Sequence, residues 1–316
     1  MSAPFPPPGP GVLAPHPAFP AGPRGLVVAA PAKLNLHLEV LGKRADGYHD
    51  LETLMVGVNV YDTLEARPRA DNQFVLACDL PGLPTGPDNL VVKAADRLRL
   101  RVNRPGLGAD LRLAKRIPAQ AGLAGGSSDA AAALVGLNRV WALNLSRATL
   151  ALVAAEVGSD VAFFLSLPSA WCTGRGEVVA PEPAGGGFHV VLVLPPVGLS
   201  TPAVFRRLVV PSTPRSGDAV RAAVRAGDAA ALGAALFNRL QEPAFGLAPE
   251  VERVYRRLAA LGPAGCLMTG SGSAVFAVCR GPQDAARVAA GFRAAAPPDE
   301  PLSHVLVART LTPDPA

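Results

Sequence analysis

Aromatic residues make up only 5% of this chain, so leucine, valine and alanine must fill its core. Cysteine is equally scarce: Cys78, Cys172, Cys266 and Cys279 are scattered, with no CxxC pair and no histidine pair nearby. Such spacing points to neither a zinc site nor a disulfide framework, and a reducing cytoplasm is the expected setting. No apolar run reaches the roughly 18 residues that a membrane helix needs, so no membrane partner is expected. The first 24 residues hold nine prolines and no charged side chain before Arg24, which leaves neither the basic start nor the apolar centre of a secretory signal. Residues 1–24 are expected to form a disordered extension outside the fold. Basic runs interleaved with aromatics are also missing, which argues against nucleic acid as a partner.

Lysine is the rarest charged residue. Of 30 basic residues only Lys33, Lys43, Lys93 and Lys115 are lysine. Arginine fills the other cationic positions, so a retained lysine is more apt to mark a place where a compact, mobile ammonium is wanted. What is abundant is apolar: 49% of 316 residues, enough for two globular domains. The net charge of +5 suits an anionic ligand without selecting one.

Residues 33–40 alternate strictly, with Lys33, Asn35, His37 and Glu39 on one face and Leu34, Leu36, Leu38 and Val40 on the other. This period of two predicts a half-buried strand with Lys33 and Asn35 side by side on its polar face. A turn over Arg44–Gly47 leads to a second strand through Val60, and short strands are expected at 62–67 and 73–78. Asp88 can cap a helix over 89–101, and a strand over Ala109–Lys115 enters a glycine-rich loop. After the loop a helix begins near Ser127 or Ser128, and another covers 147–157. The segment 181–187, Pro-Glu-Pro-Ala-Gly-Gly-Gly, is the candidate boundary between domains at 25–180 and 181–316. Beyond it come a buried strand at 189–194, helices near 201–208, 218–240 and 249–261, a hairpin around 265–279, a helix at 283–295 and a last strand at 303–310. The order of elements is α+β.

The loop Pro118-Ala119-Gln120-Ala121-Gly122-Leu123-Ala124-Gly125-Gly126-Ser127-Ser128-Asp129 carries the strongest chemical signal. Its glycines let the backbone approach a ligand, and the helix that follows offers free N–H groups and the positive end of its dipole to a phosphate. Ser127 and Ser128 can cap that helix or bind phosphate and a metal. An ordinary glycine-rich turn with a serine cap remains the plain alternative. The P-loop pattern fails for want of a lysine, the dinucleotide pattern fails at Ala124, and the nucleophile-elbow pattern fails at Asp129.

Together with Pro31-Ala32-Lys33-Leu34-Asn35-Leu36, Arg44-Ala45-Asp46-Gly47-Tyr48-His49, Gly158-Ser159-Asp160-Val161 and Met268-Thr269-Gly270-Ser271-Gly272-Ser273-Ala274, the loop resembles the GHMP small-molecule kinases in content and order. The resemblance runs from about residue 27 to 310. It implies a two-domain GHMP-kinase fold, with an N-terminal mixed β/α nucleotide-binding domain and a C-terminal ferredoxin-like α/β-sandwich domain. It implies ATP as co-substrate, with Asp160 orienting and deprotonating the attacking hydroxyl and Lys33 beside it as the compensating cation. Pro118 through Ser128 would hold the ATP phosphates, with Asn89 and Lys115 near the nucleotide; an exposed, solvated Lys115 is the competing reading. Asn35, Tyr48, His49, Phe205, Gly270, Ser271 and Gly272 would bind the phosphoryl acceptor. Tyr48-His49 further resembles the branch whose acceptor carries a cytidine diphosphate, with cytosine between Tyr48 and Phe205 and its edge read by His49. Taken alone, Phe205 reads as core. Magnesium is expected from the chemistry of phosphoryl transfer, with no metal ligand motif in the chain. A homoserine- or mevalonate-type kinase, or a silent nucleotide-binding sensor, are the alternatives, and a monomer or weak homodimer is expected. Three residues depart from the family pattern: Ala121 and Ala124 replace glycines, so a positive φ at Ala124 would be strained, and Ala162 replaces a proline.

Overall fold

The computed structural model describes residues 25–297 and 303–313, so the proline-rich extension expected over 1–24 lies outside the described residues. The chain forms two compact units that interleave along the sequence. Of the described residues, one comprises 25–32, Val60–Pro118 and Gly125–Leu165; the other comprises Lys33–Asn59, Ala119–Ala124 and those from Ser166 on. The units therefore do not follow a linear cut at 181–187. Two long strands, β1 (Leu26–Lys43) and β2 (His49–Arg69), contribute residues to both. The strand expected at 62–67 is the second half of β2, because neither glycine nor proline interrupts Tyr61–Ala66.

In the first unit, β3 (Phe74–Cys78) leads into α1 (Leu90–Arg101) and then β4 (Gly108–Ala114). β4 pairs with β3 in parallel and with the second half of β2 antiparallel, Thr63 opposite Ala114 and Arg69 opposite Gly108. Asn89, not Asp88, caps α1: its backbone is extended and its Oδ1 accepts the Val91 N–H at 2.9 Å. α2 (Gly125–Val140) starts two to three residues earlier than expected, in the glycines themselves. Its run Ala130–Ala133 is buried, and such small side chains let α1 and then α3 (Arg147–Val157) pack closely along it. A single 3-10 turn over Ala162–Leu165 follows α3.

The second unit contains the first half of β2, which pairs antiparallel with β5 (Ser169–Gly174), and β5 turns back into β6 (Val178–Pro181). Next come β7 (His189–Leu194), α4 (Thr201–Arg207), α5 (Asp218–Ala226), α6 (Ala229–Ala235) and the two-residue β8 (Phe237–Asn238), which lies parallel to β1 at His37 and Leu38. The single helix expected at 218–240 is thus broken. Gly227 takes a left-handed conformation that ends α5, and Asp228 caps α6 by accepting the N–H groups of Ala230 and Ala231.

The chain closes with α7 (Gln241–Phe245), α8 (Pro249–Ala259), β9 (Gly265–Met268), β10 (Val275–Cys279), α9 (Pro282–Ala294) and β11 (His304–Arg309). β9 and β10 form the expected hairpin. The sheet order is β11–β7–β10–β9, all antiparallel, with the first strand inside beside the last. That is the split β-α-β arrangement of a ferredoxin-like sandwich. Val251, Val254 and Leu258 of α8 and Val288 and Phe292 of α9 fill its core against Val191, Val193, Val275 and Ala277.

β1 differs from the half-buried strand its alternation predicts. Lys33, Asn35, His37 and Glu39 are as buried as the leucines between them. Each finds cover in the second unit. His37 lies between the rings of Trp171 and Phe237, where burial lowers its pKa to about 4. Burial opposes ionisation of Glu39, yet Arg239 at 2.7 Å and the N–H groups of Arg215 and Val40 hold its carboxyl below the ordinary range. A period of two reports which residues share a face, not whether that face meets water.

Candidate active site

In the second unit, Lys33 is the hub of a buried polar cluster. Its Nζ donates to Asn35 Oδ1 at 2.5 Å and to the Gly122 carbonyl at 2.7 Å, while its backbone N–H donates to the Leu123 carbonyl at 3.1 Å. Asn35 is fixed in turn: its Nδ2 donates to Thr53 Oγ1 at 2.8 Å and its N–H to Thr269 Oγ1 at 3.1 Å. Thr53 then donates to the His37 carbonyl at 2.6 Å. A buried ammonium needs oxygens for its donors, and Asn35 and Gly122 supply two of them.

Two glycines make the approach possible. At Gly122, with φ of +75°, a Cβ would stand 2.2 Å from the Thr269 carbonyl oxygen. At Gly270, with φ of +56°, a Cβ would stand 3.2 Å from Lys33 Nζ. The Ala121 carbonyl accepts the Ala274 N–H at 3.1 Å, so residues 119–124 are stitched to the loop between β9 and β10. Asn238, which the sequence reading did not single out, holds that second loop by donating to the carbonyls of Met268 and Gly270 at 2.7 and 2.8 Å. Ser271 shares a 2.7 Å hydrogen bond with Thr201. Ala124 does adopt a positive φ, +54°, as does Gln120. The left-handed region costs an L-residue about 1–2 kcal/mol.

At the outer end of β2, the His49 imidazole stacks on Phe205 with centroids 4.9 Å apart. Burial, then the charge of Lys43, lowers the His49 pKa. Phe205 also packs against the core of this unit, as its reading in isolation expects. Tyr48 is 53% exposed, with its N–H held by Asp46 Oδ1 at 3.1 Å.

In the first unit, Lys115 is not the exposed lysine of the competing reading. It is buried, donating to Asp129 Oδ2 at 2.6 Å and to Asp62. Burial works against its charge, but Asp129 and Asp62 outweigh that and raise its pKa. Burial, followed by the neighbouring Asp62, pushes the Asp129 carboxyl up to about 8. Asp62 also accepts the N–H groups of Arg116 and Ile117, so one carboxylate grips the segment leading into the loop. Sequence reading missed Asp62 because an aspartate in a strand carries no local signal.

Gly125 opens α2 where a Cβ would stand 2.9 Å from Ile117 Cγ2 and 3.2 Å from Lys115 Nζ. In the first turn Ser128 Oγ is buried without a hydrogen-bond partner, as is Asp129 Oδ1. An orphaned hydroxyl at a helix N-terminus fits a phosphate, or a magnesium ion carried on phosphates. Among the described residues, no group of three or more His, Cys, Asp or Glu is placed to hold a metal ion, and no helix is long and apolar enough to cross a membrane. Asn89 commits Oδ1 to its cap and Nδ2 to the Pro84 carbonyl at 2.7 Å. Asp160 lies half-buried in a turn after α3, where the Val161 N–H donates to the Gly158 carbonyl at 3.2 Å. The first unit thus holds Asn89, Lys115, Gly125 through Ser128 and Asp160, and the second holds Lys33, Asn35, Gly122, Gly270 and the aromatic residues.

Comparison with known proteins gives consistent results. The family description GHMP kinases N terminal domain matches residues 89–166, and GHMP kinases C terminal matches residues 220–297. A curated relative from Pelotomaculum thermopropionicum, named 4-diphosphocytidyl-2-C-methyl-D-erythritol kinase, is 42% identical over 91% of this chain and 99% of its own. One of the same name from Shouchella clausii is 39% identical over 84% of this chain and 90% of its own. Among solved structures, a 4-(cytidine 5'-diphospho)-2C-methyl-D-erythritol kinase superposes with a TM-score of 0.74 at 34% identity, covering 90% of this chain and 99% of that one. A homoserine kinase from Cytophaga hutchinsonii reaches a TM-score of 0.72 at 18% identity over 93% of this chain and 96% of that one, a likeness of fold alone.

Proposed function

This chain belongs to the GHMP kinases, and from that premise we propose that it transfers the γ-phosphoryl group of ATP to the 2-hydroxyl of 4-diphosphocytidyl-2-C-methyl-D-erythritol. The observation that carries the reading is the buried cluster of Lys33, Asn35, Gly122 and Gly270, where an ammonium is pinned between two glycine-rich loops that leave no room for a side chain.

Phosphoryl transfer asks a protein for position and charge more than for covalent chemistry. Pro118 through Ser128 hold the triphosphate through backbone N–H groups and the N-terminus of α2, with the Ser128 hydroxyl as a further donor. Asn89 and Lys115 serve the nucleotide by fixing the start of α1 and the entry to that loop. Ser128 would meet a magnesium ion carried on the phosphates, which when bound would neutralise part of their charge. Asp160 orients the acceptor hydroxyl and takes its proton, and Lys33 offsets the charge that develops. Gly270, Ser271 and Gly272 close over the phosphoryl acceptor, and Asn35 contributes a polar contact to it. Tyr48, His49 and Phe205 receive the cytosine: an exposed phenol ring for stacking and an imidazole for the base edge. This end of the site favours a cytidyl substrate over homoserine or mevalonate, which have no base to stack.

The purified chain, given ATP and magnesium, should phosphorylate the cytidyl substrate and leave homoserine and mevalonate unreacted in a coupled ADP-release assay. Asp160→Asn should lose about 10²–10⁴ in turnover while binding ATP nearly as before. Turnover of homoserine or mevalonate in preference to the cytidyl substrate would overturn the substrate assignment, and a fully active Asp160→Asn would remove Asp160 as the base.

A further inference from the structure

The hairpin tip between β5 and β6 is a built feature that the reaction as described does not use. Its sequence is Gly174-Arg175-Gly176-Glu177. Gly174 has φ of +68°, and a Cβ there would stand 2.9 Å from Glu177 Oε2. Gly176 has φ of +108° and donates its N–H to the Thr173 carbonyl at 3.0 Å. Glu177 closes the turn from the inside: Oε2 accepts the Arg175 N–H at 2.6 Å, and Oε1 lies 3.6 Å from Arg175 Nε. Two glycines and one carboxylate thus fix where the Arg175 side chain emerges.

The strand register decides what it meets. Gly174 lies opposite Leu51, the last pair of the β5–β2 ladder, so the tip extends past that pair towards residues 48–50. There the Arg175 guanidinium carbon lies 4.7 Å from the centroid of the Tyr48 ring. The Tyr48 backbone is tied down on both sides, by its N–H to Asp46 and by its carbonyl accepting the Arg44 N–H at 2.8 Å. Its ring is nevertheless more than half exposed. An exposed ring held on one face by a guanidinium keeps its orientation and presents the other face.

We propose that Arg175 is a positioning residue for the acceptor site: it stacks on Tyr48 and holds that ring ready for a pyrimidine base. The proposal rests on the cytidyl substrate assigned above. Arginine suits the task better than lysine, since a planar guanidinium can lie flat on a ring and an ammonium cannot. Its charge also suits an acceptor that carries a diphosphate.

The test uses the full-length protein with Arg175→Met, Arg175→Lys, Tyr48→Ala and the double variant Arg175→Met/Tyr48→Ala. Initial rates are measured against the cytidyl substrate at saturating ATP, and against ATP at saturating cytidyl substrate. Arg175→Met should raise the KM for the cytidyl substrate about three- to fivefold, with the KM for ATP and the melting temperature unchanged. Arg175→Lys should fall between wild type and Arg175→Met. Tyr48→Ala should raise the same KM further, and adding Arg175→Met to it should change nothing more, because Arg175 would have no ring left to hold. If Tyr48→Ala raises the cytidyl KM and Arg175→Met does not, Arg175 has no positioning role and the substrate reading survives. If Arg175→Met acts equally with and without Tyr48, it works through its charge and the stacking proposal fails. If Tyr48→Ala itself has no effect, the cytidyl site and the proposal fall together.

Discussion

Two buried lysines, one in each unit, meet different partners. In the first unit Lys115 donates to two carboxyl groups, Asp62 and Asp129. In the second, Lys33 donates to an amide oxygen and to the backbone carbonyl of a glycine-rich loop. The difference bears on what each charge is for. A lysine between two carboxyl groups of its own unit acts on its own fold: here it joins the end of β4 to the N-terminal part of α2. An ammonium held at a fixed point against a glycine-rich loop is placed to stabilise an anionic transition state. Both lysines are among only four in the chain, and both are buried.

Paired methionine variants separate these roles, since methionine keeps the length and loses the charge. Lys33→Met should lower turnover by about 10²–10³, the usual loss when one electrostatic donor to a transition state is removed. Its effect on stability should be the smaller of the two, because the variant no longer buries an ammonium. Lys115→Met should do the reverse. Removing one partner from a buried ion network costs about 3–5 kcal/mol, and because Asp129 already holds a proton near neutral pH the expected loss lies at the lower end. Denaturant unfolding followed by circular dichroism, beside steady-state rates, reads both quantities. Equal losses of rate and stability in the two variants would erase the distinction.

The Asp62–Lys115–Asp129 network should also leave a pH signature. Burial raises the Asp129 pKa from the ordinary 3.8 to about 8, so between those limits the folded chain binds a proton that the unfolded chain has released. Stability from this group is therefore full at the acid end and is lost as pH rises towards 8, with a slope of at most about 1.4 kcal/mol per pH unit. Asp129→Asn removes the titration and should flatten the stability profile between about pH 5 and pH 8 relative to wild type. Parallel profiles for the two proteins, read from urea unfolding at each pH, would mean that Asp129 is ionised throughout and that Lys115 neutralises it fully.

The sequence made much of this legible where local chemistry speaks. Strict alternation marks the middle of β1, the helix over 147–157 has the expected bounds, with Ser146 found as its cap, and the apolar run 189–194 is a strand. Motifs and their order single out the Lys33 segment and both glycine loops, and these meet in the second unit. What could not be read were partners distant in sequence. Nothing near Asp62 announces that it will meet Lys115, fifty-three residues away. Asn238 lies thirty-two residues before the carbonyl of Gly270 that it anchors. Other misses had a signal that went unused: Gly227-Asp228 is a helix stop followed by a helix cap, and it divides the segment read as one helix. The cap at Asn89 was misplaced by one residue because Asp88 and Asn89 are equally good caps, and only backbone geometry chooses between them.

The smallest effect concerns the loop that Lys33 grips. Ala124 holds φ of +54° although it has a Cβ, and Gly122, two residues earlier, holds +75° without one. Lys33 bonds to the carbonyls of Gly122 and Leu123, so the residues leading to Ala124 are fixed by contacts that Ala124 itself does not make. Ala124→Gly should relieve about 1–2 kcal/mol of left-handed strain. Glycine gives back about 0.4–1 kcal/mol through the greater freedom of the unfolded chain, so a net gain between zero and about 1.6 kcal/mol is expected. In thermal unfolding this is a rise of about 6 °C at most. The same substitution in a Lys33→Met background discriminates further. If Lys33 holds the loop in its strained shape, its removal lets Ala124 relax, and the gain from glycine should shrink towards zero or change sign. An identical gain in both backgrounds would mean that the conformation is imposed by the Thr269–Ala274 loop, stitched to Ala121, rather than by the lysine. A loss in the Lys33-containing protein would mean that Ala124 is not strained at all.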